Sequence, residues 1–296
     1  MYGKPEYQTI NQLFNQRLQA LPFLIACHRG FAHANIIENT VDAMRLARLL
    51  GADIMETDTT PTFDNELVMI HPNRERQLFN REINVSEMHL EQLQALHLYN
   101  GVGAETTQHV DTLDNFMRNI PQDMLIHFDR NEKHLPLLLA KLDHYPDQLS
   151  QIMIKVAPTT ENYELLASHP RKYMIIPIVR NADDLARTFT QLDAPINFVG
   201  LETVIEKRHQ TIMTAAFFQR IFDEHLAPLG NGLNLGASGG KEIELFGAFD
   251  DQQSLFGDPM TNGWGRIAQL GVKMINTDWP CELKQMRAKF FEWKKF

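Results

Sequence analysis

The chain has little of what marks secreted, membrane or nucleic-acid-binding proteins. It holds two cysteines, Cys27 and Cys281, in 296 residues. Neither lies in a Cys-x-x-Cys or His/Cys spacing, which argues against a zinc site of that kind. Two free thiols suit a reducing compartment. No apolar run reaches the ~18 residues of a membrane span. Positive charge is scarce, with 28 Lys and Arg against 37 Asp and Glu, a formal net charge of −9. That disfavours a nucleic-acid partner, whose phosphates demand a basic stripe. It leaves room for one small phosphate in a locally positive cleft. No low-complexity stretch or Pro/Gly/Ser linker divides the chain. Residues 1–17 are polar, with no apolar core before a small-residue cleavage site, and read as a cytoplasmic start without a signal peptide.

What is present is an alternation of short apolar runs with longer amphipathic stretches, the mark of βα units and a parallel sheet. The runs cover 23–27, 54–57, 124–128, 152–156, 174–179, 196–201, 233–235 and 274–276. Eight such runs make a closed (β/α)8 TIM barrel the leading topology, and its usual size of roughly 250 residues fits. A doubly wound open sheet is the runner-up. The barrel domain is expected over 23–296, after an N-terminal extension over 1–22. An extra run at 67–70 is expected to form a small hairpin insertion after strand two. Helices are expected over 38–50 and over 86–96, the second capped by Ser86. Thr112, Thr160, Asp183 and Thr211 read as caps or first-turn residues of later helices.

In such a barrel, chemistry gathers at the C-terminal ends of the strands. The first run exits into His28-Arg29-Gly30, the second into Glu56-Thr57-Asp58, and the hairpin run into His71. The third exits into Asp129-Arg130-Asn131, the fourth carries Lys155, and the sixth ends near Glu202. Glu56 and Asp58 are two apart on a strand, so both face one side. Two inward carboxylates need a cation, a shared proton or hydrogen bonds to stay ionised. A hard divalent ion such as Mg²⁺ or Ca²⁺ answers that need. A solvated pair partnered by Arg29 answers it equally well on spacing alone. Asp129 reads either as a further ligand or as a helix cap. His28 and His71 are candidates for general base and acid, and Arg29 for a phosphate clamp. His127 shares the face of Asp129, one layer deeper, with its role open.

The segment CHRGFAHANIIENTVDAMRLARLLGADIMETDTTPTFDNELVMIH resembles the opening block of glycerophosphodiester phosphodiesterases. The ordered elements are His28-Arg29-Gly30, Glu38-Asn39-Thr40, Gly51-Ala52-Asp53, Glu56-x-Asp58, Thr62-x-Asp64 and His71. Weaker likeness continues through VSEMHLEQLQAL, TLDNFMRNI and the closing GVKMINTDWPCELKQMR, with its Thr-Asp-x-Pro motif. The resemblance implies a (β/α)8 barrel that hydrolyses glycerophosphodiesters with one divalent cation. It implies Glu56 and Asp58 as metal ligands with Asp129 as the third, where relatives usually carry Glu. It implies His28 and His71 as the acid–base pair, His28 taking a proton and His71 giving one, with Arg29 on the phosphate. Pro72 stands where relatives have Asp, the loop over 73–83 is shortened and altered, and Asn131 stands where relatives often have Lys. Arg130 is adjacent, but period two turns it to the other face, so Lys155 is expected to supply the phosphate-binding charge. Two alternatives stay in view. One is a phospholipase-type diesterase with an apolar rim at 245–249, and the other a barrel that binds phosphodiesters without turnover. The partner expected in each case is a small phosphodiester, with no transmembrane segment; the oligomeric state is not encoded.

Overall fold

The computed structural model describes residues 1–204, 214–235, 243–244 and 249–293. Eight strands form its centre. They are β1 (Leu24–Cys27), β2 (Ile54–Asp58), β3 (Leu125–Asp129), β4 (Ile152–Val156), β5 (Met174–Val179), β6 (Gly200–Thr203), β7 (Ala227–Asn231) and β8 (Met274–Thr277). They close into a barrel in the order β1-β8-β7-β6-β5-β4-β3-β2. Every pairing in it is parallel. The expected (β/α)8 barrel is therefore the architecture observed.

Alternation along each strand makes two apolar layers. Leu24, Ala26, Ile54, Leu125, Met153, Met174, Ala227, Leu229 and Met274 fill the interior. Ile25, Cys27, Met55, Ile126, Phe128, Ile154 and Ile275 point outward, against the helices. The strands thus read as continuous apolar runs because both faces are covered.

Residues 1–22 close the end of the barrel opposite the site. The helix Gln12–Ala20 sends Phe14, fully buried, into the interior cluster. Its anchors all precede barrel strands. Asn11 and Asn197 exchange side-chain hydrogen bonds, and Arg17 Nη1 donates to Asp53 Oδ1 at 2.8 Å. Phe14→Ala is expected to cost about 3–5 kcal/mol, because the void it leaves is walled by rigid strands. Urea unfolding of the variant measures it.

After β2 the chain makes a hairpin, Thr60–Pro61 against Leu67–Val68, antiparallel. This insertion carries its own small core of Ile37, Val68, Ile70, Leu78, Phe79, Val85, Leu93, Leu98 and Val110. It is larger than the hairpin read from sequence. The helix expected over 86–96 is instead a 3-10 turn, Val85–Glu87, and a short helix, Leu90–Gln94. Asn84, not Ser86, caps the first piece, accepting from Ser86 N–H at 3.1 Å. Thr112 and Thr159 cap later helices, while Thr160 and Asp183 fall in first turns. Thr211 lies outside the described residues.

The seventh strand is Ala227–Asn231 and not the run at 233–235. Ala-Pro-Leu-Gly-Asn does not read as apolar, yet Ala227 and Leu229 are the interior residues of β7. The run at 233–235 lies past the barrel mouth, where Asn234–Leu235 pairs with Ile243–Glu244. Among the described residues, no helix is long and apolar enough to cross a membrane.

Candidate active site

The site is built by register. Glu56 pairs with His127, and Asp58 with Asp129, across the β2–β3 ladder. Adjacent strands therefore present their carboxylates in one layer at the C-terminal mouth. Glu56 and Asp58 are 1% exposed. One carboxylate oxygen from each of Glu56, Asp58 and Asp129 lies within 4.8 Å of the others.

The turn after β1 sets His28 and Arg29 beside this cluster. His28 follows β1 directly, and its N–H donates to Thr277 O at 3.1 Å. Arg29 takes a left-handed φ of 55°. That conformation is costly for a residue with a side chain. It turns the Arg29 N–H onto Glu56 Oε2 at 3.0 Å. Gly30, at φ 71°, lies against the helix Val41–Leu50; a Cβ there would meet Ala43 backbone at 2.8 Å.

Glu38-Asn39-Thr40 serves as the brace of the turn. Thr40 caps the helix, accepting from Ala43 N–H at 3.1 Å. Asn39, at φ 59°, accepts from Asp58 N–H and Thr57 Oγ1, and donates to Asp58 Oδ2 at 3.1 Å. Glu38 receives Arg29 Nη1 at 3.0 Å and both ends of Arg74, at 3.0 and 2.8 Å. Burial alone would raise the Glu38 carboxyl, but these two guanidinium groups outweigh it and lower it. The Arg29 Nε is 3.4 Å from Asp58 Oδ2.

A second network lies across the mouth. Lys155 Nζ donates to Asp129 Oδ2 and meets Glu202 Oε2, each at 2.9 Å. Asn231 Nδ2 donates to Glu202 Oε1 at 2.6 Å, and Asn276 Nδ2 to Asn231 Oδ1 at 3.1 Å. Burial opposes the Lys155 charge, yet Asp129 and Glu202 hold it firmly protonated; Asp129 is driven down in turn, chiefly by Lys155. Glu56 is different. Burial and the neighbouring Asp58 push it up to about 7. It is the crowded member of the acidic cluster.

All seven residues singled out from sequence, His28, Arg29, Glu56, Asp58, His71, Asp129 and Lys155, line one cavity of 140 Å³. Glu202, Asn231 and Asn276 also line it. Arg130 lines it too, against the expectation from period two. The strand stops at Asp129, and Arg130 adopts φ 55°, its N–H turned onto Asp129 Oδ1 at 2.7 Å. Strand alternation no longer applies there. Asn131 is the residue turned away, buried with its amide on Lys155 O at 2.9 Å.

The two histidines differ. His28 Nδ1 lies 3.0 Å from Asp278 Oδ1, so its Nε2 is left facing the cavity. Burial lowers the His28 pKa, but Asp278 and Glu56 outweigh it and the balance is raised. His71 is lowered, by burial first and then by Arg29 and Arg130, and its buried Nδ1 has no partner. Asp278, from the Thr-Asp-x-Pro motif, was not singled out as a site residue. Asp251 steadies its loop, accepting from Asp278 N–H at 2.9 Å and Thr277 Oγ1 at 2.8 Å. His127 is fully buried in the layer of Glu56, kept neutral by burial and Lys155.

The donor set suits a hard divalent cation. It is all carboxylate oxygen and compact, and Glu56 is pushed up by its burial and by Asp58 beside it.

Fold and site together define an α/β barrel whose polar centre lies at the strand ends. Comparison with known proteins narrows this. A sequence model of the glycerophosphoryl diester phosphodiesterase family matches residues 28–218, and the chain belongs to that family of phosphoric diester hydrolases. A glycerophosphodiester phosphodiesterase of Caldanaerobacter subterraneus subsp. tengcongensis is 38% identical over 73 residues, 25% of this chain. The match spans 30% of the length of that curated relative. Among solved structures, a glycerophosphoryl diester phosphodiesterase from Parabacteroides distasonis superposes with a TM-score of 0.68 at 15% identity, covering 95% of this chain and 92% of that one. A phosphodiesterase from Oleispira antarctica, in complex with the product sn-glycerol-3-phosphate, gives 0.59 at 14% identity, covering 92% and 98%. At these identities the likeness is one of fold.

Proposed function

We propose that the protein hydrolyses glycerophosphodiesters to glycerol phosphate and an alcohol, with one divalent cation, Mg²⁺ or Ca²⁺, held by Glu56, Asp58 and Asp129. The observation that carries the reading is the placement of three clustered carboxylates and two histidines on one cavity wall. The Oleispira relative's bound sn-glycerol-3-phosphate supports the product class. When bound, the cation supplies Lewis-acid stabilisation of charge on the phosphoryl oxygens.

The rest falls to the chain's own groups. Arg29, braced by Glu38, offers its guanidinium edge to a phosphate oxygen. Lys155, protonated between Asp129 and Glu202, contributes a fixed positive charge beside it. Asp278 accepts the Nδ1–H of His28, which leaves the Nε2 lone pair free to take a proton from the attacking hydroxyl or water. His71, on the same cavity wall, gives a proton to the departing alkoxide. The free thiols Cys27 and Cys281 suit a reducing compartment, consistent with a cytoplasmic enzyme.

The experiment is hydrolysis of sn-glycero-3-phosphoethanolamine and bis(glycero)phosphate with Mg²⁺, Mn²⁺ or Ca²⁺. Turnover with at least one ion, lost on chelation and restored by re-addition, is expected. A flat trace with all three ions would leave a binding protein instead.

A further inference from the structure

Asp278 fixes the tautomer of His28, and something must fix Asp278. Its side chain is 57% exposed, and among the described residues its carboxylate has no hydrogen-bond partner but His28. Exposed side chains exchange rotamers within nanoseconds. The aim of this carboxylate therefore depends on where its backbone is held.

Asp251 holds it. This residue opens the helix Asp251–Phe256 and is 6% exposed. Its Oδ2 accepts from Asp278 N–H at 2.9 Å. Its Oδ1 accepts from Thr277 Oγ1 at 2.8 Å and from Trp264 Nε1 at 2.7 Å. The Thr277 hydroxyl accepts in turn from Trp279 N–H at 2.9 Å, which leaves its own proton for Asp251. Three donors and no acceptor are the surroundings of an ionised carboxylate. The Asp251 N–H donates to Gly232 O at 2.6 Å, just past the end of β7. Only glycine fits at 232, since a Cβ there would meet Asp251 Oδ1 at 2.7 Å and Trp264 Nε1 at 3.1 Å.

Two of the three donors belong to the residues that hold His28. Thr277 O accepts from His28 N–H at 3.1 Å, and Asp278 Oδ1 lies 3.0 Å from His28 Nδ1. One buried carboxylate thus grips both residues that grip the imidazole. Burial outweighs its donors and pushes Asp251 up to about 7. Strongly perturbed acids of this kind gather at functional sites.

We infer that Asp251 is a positioning residue of the phosphodiesterase reaction, which through Thr277 and Asp278 keeps His28 with Nδ1 bonded and Nε2 toward the cavity. The inference rests on the reading of His28 as general base. Asp251 is not part of the cavity wall, so it acts through His28 and not on the substrate.

The test is Asp251→Asn. With its oxygen kept on Trp264 and Thr277, the asparagine turns its amide onto Asp278 N–H, donor against donor. Turnover kcat should fall by about 10²-fold, the effect of a displacement of order 1 Å near the reacting atoms, with KM nearly unchanged. In a His28→Ala background the same change should lower kcat no further, since its effect passes through the imidazole. Equal losses in both backgrounds overturn the inference. A second readout needs no turnover. The ¹⁵N shifts of the neutral His28 ring, assigned by their loss in His28→Ala, should show the Nδ1–H tautomer in the wild type and a move toward Nε2–H in Asp251→Asn. An unchanged tautomer in the folded variant overturns the inference. If Asp251→Asn does not fold, Thr277→Val removes one of the three donors at constant shape, and both comparisons are made on it with the same outcomes expected. If His28→Ala itself keeps full turnover, the general-base reading fails by itself, and the ring tautomer still decides whether Asp251 holds the imidazole.

Discussion

His28→Ala and His71→Ala should each lower kcat by about 10²- to 10⁴-fold, the usual worth of a positioned acid or base. The fold should survive both changes. His71 leaves its buried Nδ1 unpartnered, so the native state gains no hydrogen bond there that alanine would forfeit. His28 bonds Asp278, whose side chain is 57% exposed, so water can take over that carboxylate when the imidazole is removed and the loss to stability is small. Thermal melting of each variant should therefore stay near the wild type while turnover collapses. The double variant should fall by less than the product of the single losses, because the two protons move in one reaction and the groups act as a unit. Steady-state kinetics at saturating cation measures all three. Wild-type turnover in a cation-saturated double variant would end the assignment of the site.

Much of this site was legible because its residues stand at strand exits in fixed order. His28, Glu56, Asp58 and Asp129 need only the barrel to bring them together, and eight apolar runs announce the barrel. The unread parts depend on local conformation. Arg130 looked outward because alternation was carried one residue too far, past the left-handed turn that ends β3. Strand β7 hid behind Pro228 and Gly230, which depress apolar and β-forming character although the strand is fully buried. Asp278 stands in the Thr-Asp-x-Pro motif, but its role appears only once the barrel closes, because 250 residues separate it from His28. Glu202 likewise stood at a strand exit, and only the fold shows that it grips Lys155. Residues 1–22 read as an extension since nothing in a nine-residue amphipathic helix says which face of a barrel it will stop. The apolar rim considered at 245–249 lies outside the described residues except for Phe249.

Glu56→Gln should do two opposite things, and together they isolate the role of charge. In the cation-free protein Glu56 is raised from 4.5 to about 7 by burial and by Asp58. The native state then holds a proton that the unfolded chain has lost, so stability falls as pH rises from 4.5 to about 7. Above that window the ionised carboxylate is a standing penalty of up to about 3 kcal/mol. A glutamine keeps an oxygen to accept from Arg29 N–H and removes the charge. Without cation at pH 8, the variant should therefore melt higher than the wild type. Added Mg²⁺ or Ca²⁺ should raise the wild-type melting temperature, because an ion that binds only the folded state stabilises it. The same addition should barely move Glu56→Gln. Turnover should fall by about 10²-fold or more, the loss of part of a cation's several kcal/mol of transition-state stabilisation. A structural carboxylate predicts a different pattern, with the variant melting lower in the absence of cation and responding to it like the wild type. That pattern would remove the cation from Glu56 and leave its carboxyl as a brace for the turn at Arg29.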